Sequence, residues 1–214
     1  MKAKIIMLSV LGVASFGLTQ AANAGWDSGA CAGGGPAPCI QWSDGSSTQH
    51  FNGSGGHADV WHGHPSGGDF TFSGTTDLSC PSLPAAVCTL TLNGQVKKFQ
   101  DPNNDWRVGI RVNSGSVSGS GLLCGIITVG GFPWYLAENN TTTFDEDSGV
   151  VYSGPGPYTG AFGEIDVNVV GSDLRINNVV YDNSTFSFDD ALLPSDCTVE
   201  GDLVLDNGET LEIF

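Results

Sequence analysis

Positive charge is scarce in this chain: seven of its 214 residues are Lys or Arg, against 23 Asp and Glu. A surface of that balance repels phosphate backbones and anionic lipid, which sets nucleic-acid binding aside. Long apolar runs are lacking too. After the first two dozen residues nothing approaches the roughly 18 uninterrupted apolar residues of a membrane-spanning helix, so no transmembrane anchor is expected. No C-x-x-C pair occurs, which removes the usual thiolate zinc site. A nucleophile elbow, a zincin helix, a paired-carboxylate signature and a phosphate-cradling glycine loop are all missing, and the chain reads as a non-enzyme. Serine, histidine and aspartate are plentiful enough for a triad formed in space. Every histidine, however, lies in an arm outside the predicted sheet, a poor place to hold catalytic geometry. A hydrolase would have to use Glu138, Glu164 or Asp166, whose separations the sequence does not reveal.

The beginning of the chain is informative. Met1 to Ala24 carries Lys2 and Lys4, an apolar run from Ile5 to Leu18, and Ala22-Asn23-Ala24 before Gly25. That is the layout of a cleaved secretory signal peptide. The mature part keeps five basic residues against 23 acids, a net charge of −18, which suits an exterior where divalent cations screen carboxylates. All six cysteines lie in it, an even number in an exported chain, and read as disulfides. The destination expected is secreted or cell-surface.

Residues 25–67 are dense in Gly, Ser and Pro and hold three of the five tryptophans. They keep no sustained period and are expected to form a loop-like arm. From residue 68 to 214 the chain alternates and punctuates. C-T-L-T-L-N-G-Q-V suggests a hairpin turning at Asn93-Gly94, and short strands follow as far as C-T-V-E-G-D-L-V-L, separated by turn residues. Ile165, Val167 and Val169 should share one face, with Asp166 and Asn168 on the other. Eight or nine such strands predict an all-β fold, an antiparallel β-sandwich behind the arm. Phe214 at the end resembles the terminus of an outer-membrane barrel strand, but Glu212 breaks the apolar alternation a lipid face requires, so no barrel is expected.

Three features could carry chemistry. His57-x-Asp59-x-x-His62-x-His64 puts three imidazoles and a carboxylate within eight residues, donors suited to zinc or copper if the glycine-rich loop orders around the ion. The bland alternative is a solvated loop. Asp101-x-Asn103-x-Asp105 and Asp145-Glu146-Asp147 offer oxygens for calcium, but Trp106 stands where an EF-hand wants glycine, and Asx turns explain both equally. Phe132, Trp134 and Tyr135 beside Gly130-Gly131 form a candidate apolar contact surface. Large aromatics more often fill cores, so Trp134 taken singly is core and Phe132 and Tyr135 are the better surface candidates. The N-x-S/T sequons at Asn52, Asn139, Asn140 and Asn183 read as polar turns.

C-T-L-T-L-N-G-Q-V, V-S-G-S-G-L-L-C-G-I-I-T-V-G-G-F-P-W and the late C-T-V-E-G-D-L together resemble the Pra-type alkane oxidation protein activator family of exported pseudomonad proteins, over about residues 68 to 206. The resemblance implies a secreted or cell-surface non-enzyme associated with growth on hydrocarbons and with surface or biofilm matrix material. Its partners would be hydrophobic substrates, cell-surface components or further copies of itself.

Cys31 and Cys39 bracket G-G-G-P-A-P, and a local bridge is the simplest pairing. Cys80 and Cys88 flank P-S-L-P-A-A-V, which suits a second local bridge and leaves Cys124 with Cys197. That long bridge should stabilise by roughly 4 kcal/mol. The alternative joins Cys88 to Cys124 or Cys197, because these three cysteines sit in the family-like segments.

Overall fold

The protein is seen in a computed structural model that describes residues 25–32, 37–52 and 57–214. The leader expected over Met1 to Ala24 lies outside the described residues. Three short strands come first: β1 (Asp27–Ser28), β2 (Ile40–Ser43) and β3 (Thr48–Phe51). Long strands follow as β4 (Phe70–Cys80), β5 (Leu83–Gln100) and β6 (Trp106–Ser118). Next come the short β7 (Val129–Gly130), β8 (Trp134–Ala137) and β9 (Val150–Val151). The series ends with β10 (Tyr158–Val167), β11 (Gly171–Asp182), β12 (Thr185–Leu193), β13 (Thr198–Leu205) and β14 (Thr210–Ile213). Among the described residues the one helical element is a 3-10 turn at Asp206–Gly208.

The all-β expectation holds; the sandwich does not. Eight strands pair antiparallel in the order β4-β5-β6-β8-β10-β11-β12-β13, and β13 returns to β4, with Leu205 opposite Phe72, to close a barrel. Alternation could not distinguish the two. It shows that one face of each strand is buried, and a sheet curled on itself buries that face as completely as a second sheet does. Phe186, Phe188 and Leu192 of β12 point inward while Asp189 points to solvent, and Leu203 and Leu205 of β13 alternate with exposed Asp202 and Val204. This barrel carries its apolar side inside, the reverse of the lipid-facing pattern. Ile165 and Val167 are buried as their alternation requires, Asn168 is exposed, and Val169 packs against the core just past the end of β10.

The Asn93-Gly94 hairpin is also corrected. Both residues lie inside β5, whose register against β6 slips between them: Asn93 faces Ser114 and Gly94 faces Val112. A β-carbon at Gly94 would stand 2.3 Å from the Arg111 carbonyl oxygen. The glycine is there because two backbones close on each other at a bulge, not because the chain reverses.

The arm is less loop-like than its composition suggests. β1, β3 and β2 form a second sheet whose fourth strand is β14 from the far end of the chain, with Ile40 opposite Ile213. This sheet packs over one end of the barrel. Phe51 and Ile40 are fully buried, the Tyr181 hydroxyl donates to the Leu211 carbonyl, and the Leu211 amide donates to Ser184 Oγ at 2.7 Å.

The disulfides are Cys31–Cys39, Cys80–Cys197 and Cys88–Cys124, with no free cysteine. The local arm bridge agrees with expectation. The pairing of Cys80 with Cys88, and hence of Cys124 with Cys197, is overturned in favour of the alternative that joins Cys88 to Cys124. Cys80 ends β4 and runs straight into the β5 turn, but its lateral neighbour is β13, where Ser79 faces Thr198. Closeness across the sheet outweighs closeness along the chain.

Candidate apolar contact site

At the barrel end opposite the arm sheet, the segment 119–128 crosses the opening as a cap. Its turn is held by Cys124 N–H to Gly121 O and Ile127 N–H to Leu123 O, both 3.0 Å. One side is tied covalently to β5 through Cys88–Cys124. The other is pinned by Asn168, which accepts from Thr128 N–H and donates to Ile126 O, each at 2.8 Å. The S-G-S-G approach to Cys124 now has a reason. A β-carbon at Gly119 or Gly121 would stand 3.2 or 3.1 Å from Cys124 Sγ, tighter than such contacts normally run, so the small residues make room for the bridge.

Anchored this way, the cap divides its apolar residues. Ile127 is buried and Leu123 packs on the core, while Leu122 is 89% exposed and Ile126 54%. Val87, 60% exposed, immediately precedes the bridge partner Cys88. Three large aliphatic side chains thus stand in water around one disulfide, where burying each would gain about 1.5–3 kcal/mol. Leu122 and Ile126 fall within the family-like stretch V-S-G-S-G-L-L-C-G-I-I-T-V-G-G-F-P-W, whereas the contact role expected from the sequence falls on Phe132, Trp134 and Tyr135.

The aromatic trio sits differently. Trp134 is buried, its indole N–H donating to Gly130 O at 2.8 Å. Phe132 is half-buried and stacks on it at 4.5 Å. Tyr135 is half-buried on the barrel exterior, 6.1 Å from Trp61. Trp61 is the centre of a grouping that no local pattern reveals: the Lys97 ammonium lies 4.9 Å and the Arg111 guanidinium 4.6 Å from its ring. Two of the five basic side chains among the described residues are engaged there in cation–π contact.

The His57–His64 cluster is not brought together as a ligand set. His57 faces Asp27 at 3.5 Å, and Asp59 pairs with Lys97 at 3.2 Å. His62 is buried and stacked on Phe51 at 3.7 Å. His64 offers Nε2 to Glu209 at 3.0 Å, and that carboxylate also takes the Trp42 indole N–H at 2.9 Å. Among the described residues no group of three His, Cys, Asp or Glu side chains is placed to hold a metal ion. Ser66 Oγ lies 2.7 Å from His64 Nδ1, so a serine, a histidine and a carboxylate do line up. The Ser66 backbone N–H donates to the same nitrogen at 3.1 Å. The hydroxyl closes its own short loop, and the array fastens the arm to the chain's last segment.

The acidic turns follow the Asx reading. Asp101 Oδ1 accepts from the Asn103 and Asp105 amides at 2.8 and 3.0 Å, and Oδ2 from Arg107 at 2.9 Å. Desolvation raises its pKa, but the Arg107 guanidinium and those amides outweigh that and hold the carboxyl below its usual range. Asp145 accepts from Asp147 N–H and Ser148 Oγ. Glu138 is engaged by Arg107 and Val151 N–H, and Asp166 by Asp173 N–H.

The fold and the cap together define a disulfide-bonded antiparallel β-barrel with an apolar interior and exposed aliphatic side chains on its cap. The family model described as alkane oxidation protein activator PraA/PraB-like matches residues 50–213, most of the chain, and the protein belongs to that family. The match takes in the histidine segment and β14 as well as the stretches where the likeness was first seen. No curated protein and no solved structure matches.

Proposed function

We propose that the protein is an exported, non-catalytic component of the cell surface or extracellular matrix that presents apolar contacts to hydrophobic substrates or to other copies of itself. The observation that carries this reading is the exposure of Val87, Leu122 and Ile126 around the Cys88–Cys124 bridge. Water-exposed aliphatic side chains on a covalently fixed cap are contact groups already paid for in ordering. The three disulfides support an oxidising destination, and the family's description as an activator supports a role beside alkane oxidation, not within it.

Cell fractionation combined with adsorption to hexadecane droplets tests it. The native protein is expected in the secreted or surface fraction with all cysteines oxidised, and Leu122→Ser with Ile126→Ser should adsorb several-fold less. Retention in the cytoplasm with reduced thiols, or adsorption indifferent to both substitutions, ends the reading.

A further inference from the structure

Two apolar hollows lie one behind the other inside the barrel. The larger, about 70 Å³, sits beneath the cap and is lined by Ala86, Ile127, Trp134, Val167 and Ile176 among others. The smaller, about 20 Å³, lies toward the arm sheet between Phe70, Val96, Phe162 and Ile213. Leu92 and Phe188 belong to both linings. The two therefore lie end to end along the barrel, with a leucine and a phenylalanine between them at the waist of what would be one channel.

The channel has no polar group to spare. Thr76 is the one polar side chain around the larger hollow, and its hydroxyl donates to Cys88 O at 3.4 Å. Around the smaller, Gln95 is held by Asp69 and Arg111, and the Tyr181 hydroxyl is bonded to Leu211 O. Water entering such a space finds no partners, and apolar cavities of this kind stay dry or take hydrocarbon. On the scale of an apolar cavity of about 150 Å³ that takes the six carbons of benzene, the larger hollow has room for about three methylene-sized groups and the smaller for about one.

We infer that the barrel interior binds one end of an unbranched saturated hydrocarbon chain, which enters beneath the cap and threads past Leu92 and Phe188. The narrow, two-part shape fits a linear chain and excludes a ring or a branched head. Half-buried Leu78, Leu90, Val117, Val129 and Val199 carry the lining outward at the capped end, so a terminal polar group stays in water. This rests on the proposed role toward hydrophobic substrates and moves the contact from the cap's surface to the space beneath it.

Trp134 is the one tryptophan in either lining, which supplies a local reporter. The mature protein is titrated with 1-bromooctane, n-octane and octanoate. Bromooctane is expected to quench the part of the fluorescence that Trp134→Phe removes, and n-octane to compete it away. Ala86→Phe, which fills the larger hollow, should weaken binding by about tenfold or more while circular dichroism stays native. If Ala86→Phe does not fold, Val117→Phe narrows the same space from its rim. Competition by octanoate as well as octane identifies an acyl tail as sufficient; competition by octane alone identifies a free hydrocarbon. Binding that survives the filling variants without quenching Trp134, but is lost in Leu122→Ser with Ile126→Ser, overturns the channel and leaves the surface reading standing. Absence of any binding or droplet adsorption overturns both.

Discussion

The Lys98 ammonium lies 5.4 Å from the centre of the Phe51 ring, fully buried where the arm sheet meets the barrel. Burial pushes its pKa down to about 8 from 10.5, with Asp27 opposing the shift. Below pH 8 the folded protein must hold a proton in an apolar seam, a cost the unfolded chain does not bear. Between about 8 and 10.5 the unfolded chain keeps that proton and the folded one releases it, so this group's contribution improves as pH rises through the window. Lys98→Met should stabilise the protein at pH 7 by on the order of 3 kcal/mol, with the gain shrinking toward pH 9.5. Urea midpoints of both proteins at the two pH values measure this; a gain that does not depend on pH counts against it.

Peptide mapping without reduction should recover Cys80 linked to Cys197 and Cys88 linked to Cys124. Replacing Cys80 and Cys197 together with serine opens a loop of more than a hundred residues (sequence separation 117) and should cost about 4–5 kcal/mol. Replacing Cys88 and Cys124 releases the cap from β5, and faster amide exchange confined to residues 119–128 is the expected signature. Uniform acceleration across the barrel would show that the cap bridge holds the whole fold instead.

Gly94→Ala should destabilise by about 2–4 kcal/mol although it adds only one carbon, because Gly94 is buried in β5. The added carbon meets the Arg111 carbonyl at the bulge. Thermal unfolding gives the number, and a loss under 1 kcal/mol would mean that the β5–β6 pair can part there at little cost.

Titration with zinc or copper by calorimetry at pH 7.5 should give no stoichiometric micromolar site in the His57–His64 segment, since Asp27, Phe51, Lys97 and Glu209 each engage a different member of the set. A one-to-one isotherm that His62→Ala with His64→Ala abolishes would revive the metal reading.

What the sequence determined by itself was whatever depends on neighbours along the chain. Period-2 alternation identified strands and their buried faces, as at Ile165 and Val167; an even cysteine number behind an export-type leader pointed to the oxidised state; a handful of motif residues pointed to the family. The tertiary structure decided whatever depends on neighbours across it. Closure of β13 onto β4 makes a barrel instead of a sandwich, and no local pattern records a hydrogen-bond partner more than a hundred residues away. The same lateral adjacency gave Cys80 to Cys197 instead of Cys88, and paired the arm with β14, so that glycine-rich residues with no period of their own became sheet. Asn93-Gly94 is a strong local signal overruled for this reason: the pairing of β5 with β6 continues through it. The channel was out of reach of the sequence altogether. Trp134 and Val167 read as ordinary core residues and Ala86 as part of the loop between Cys80 and Cys88, and only the curvature of the closed sheet leaves a space between them.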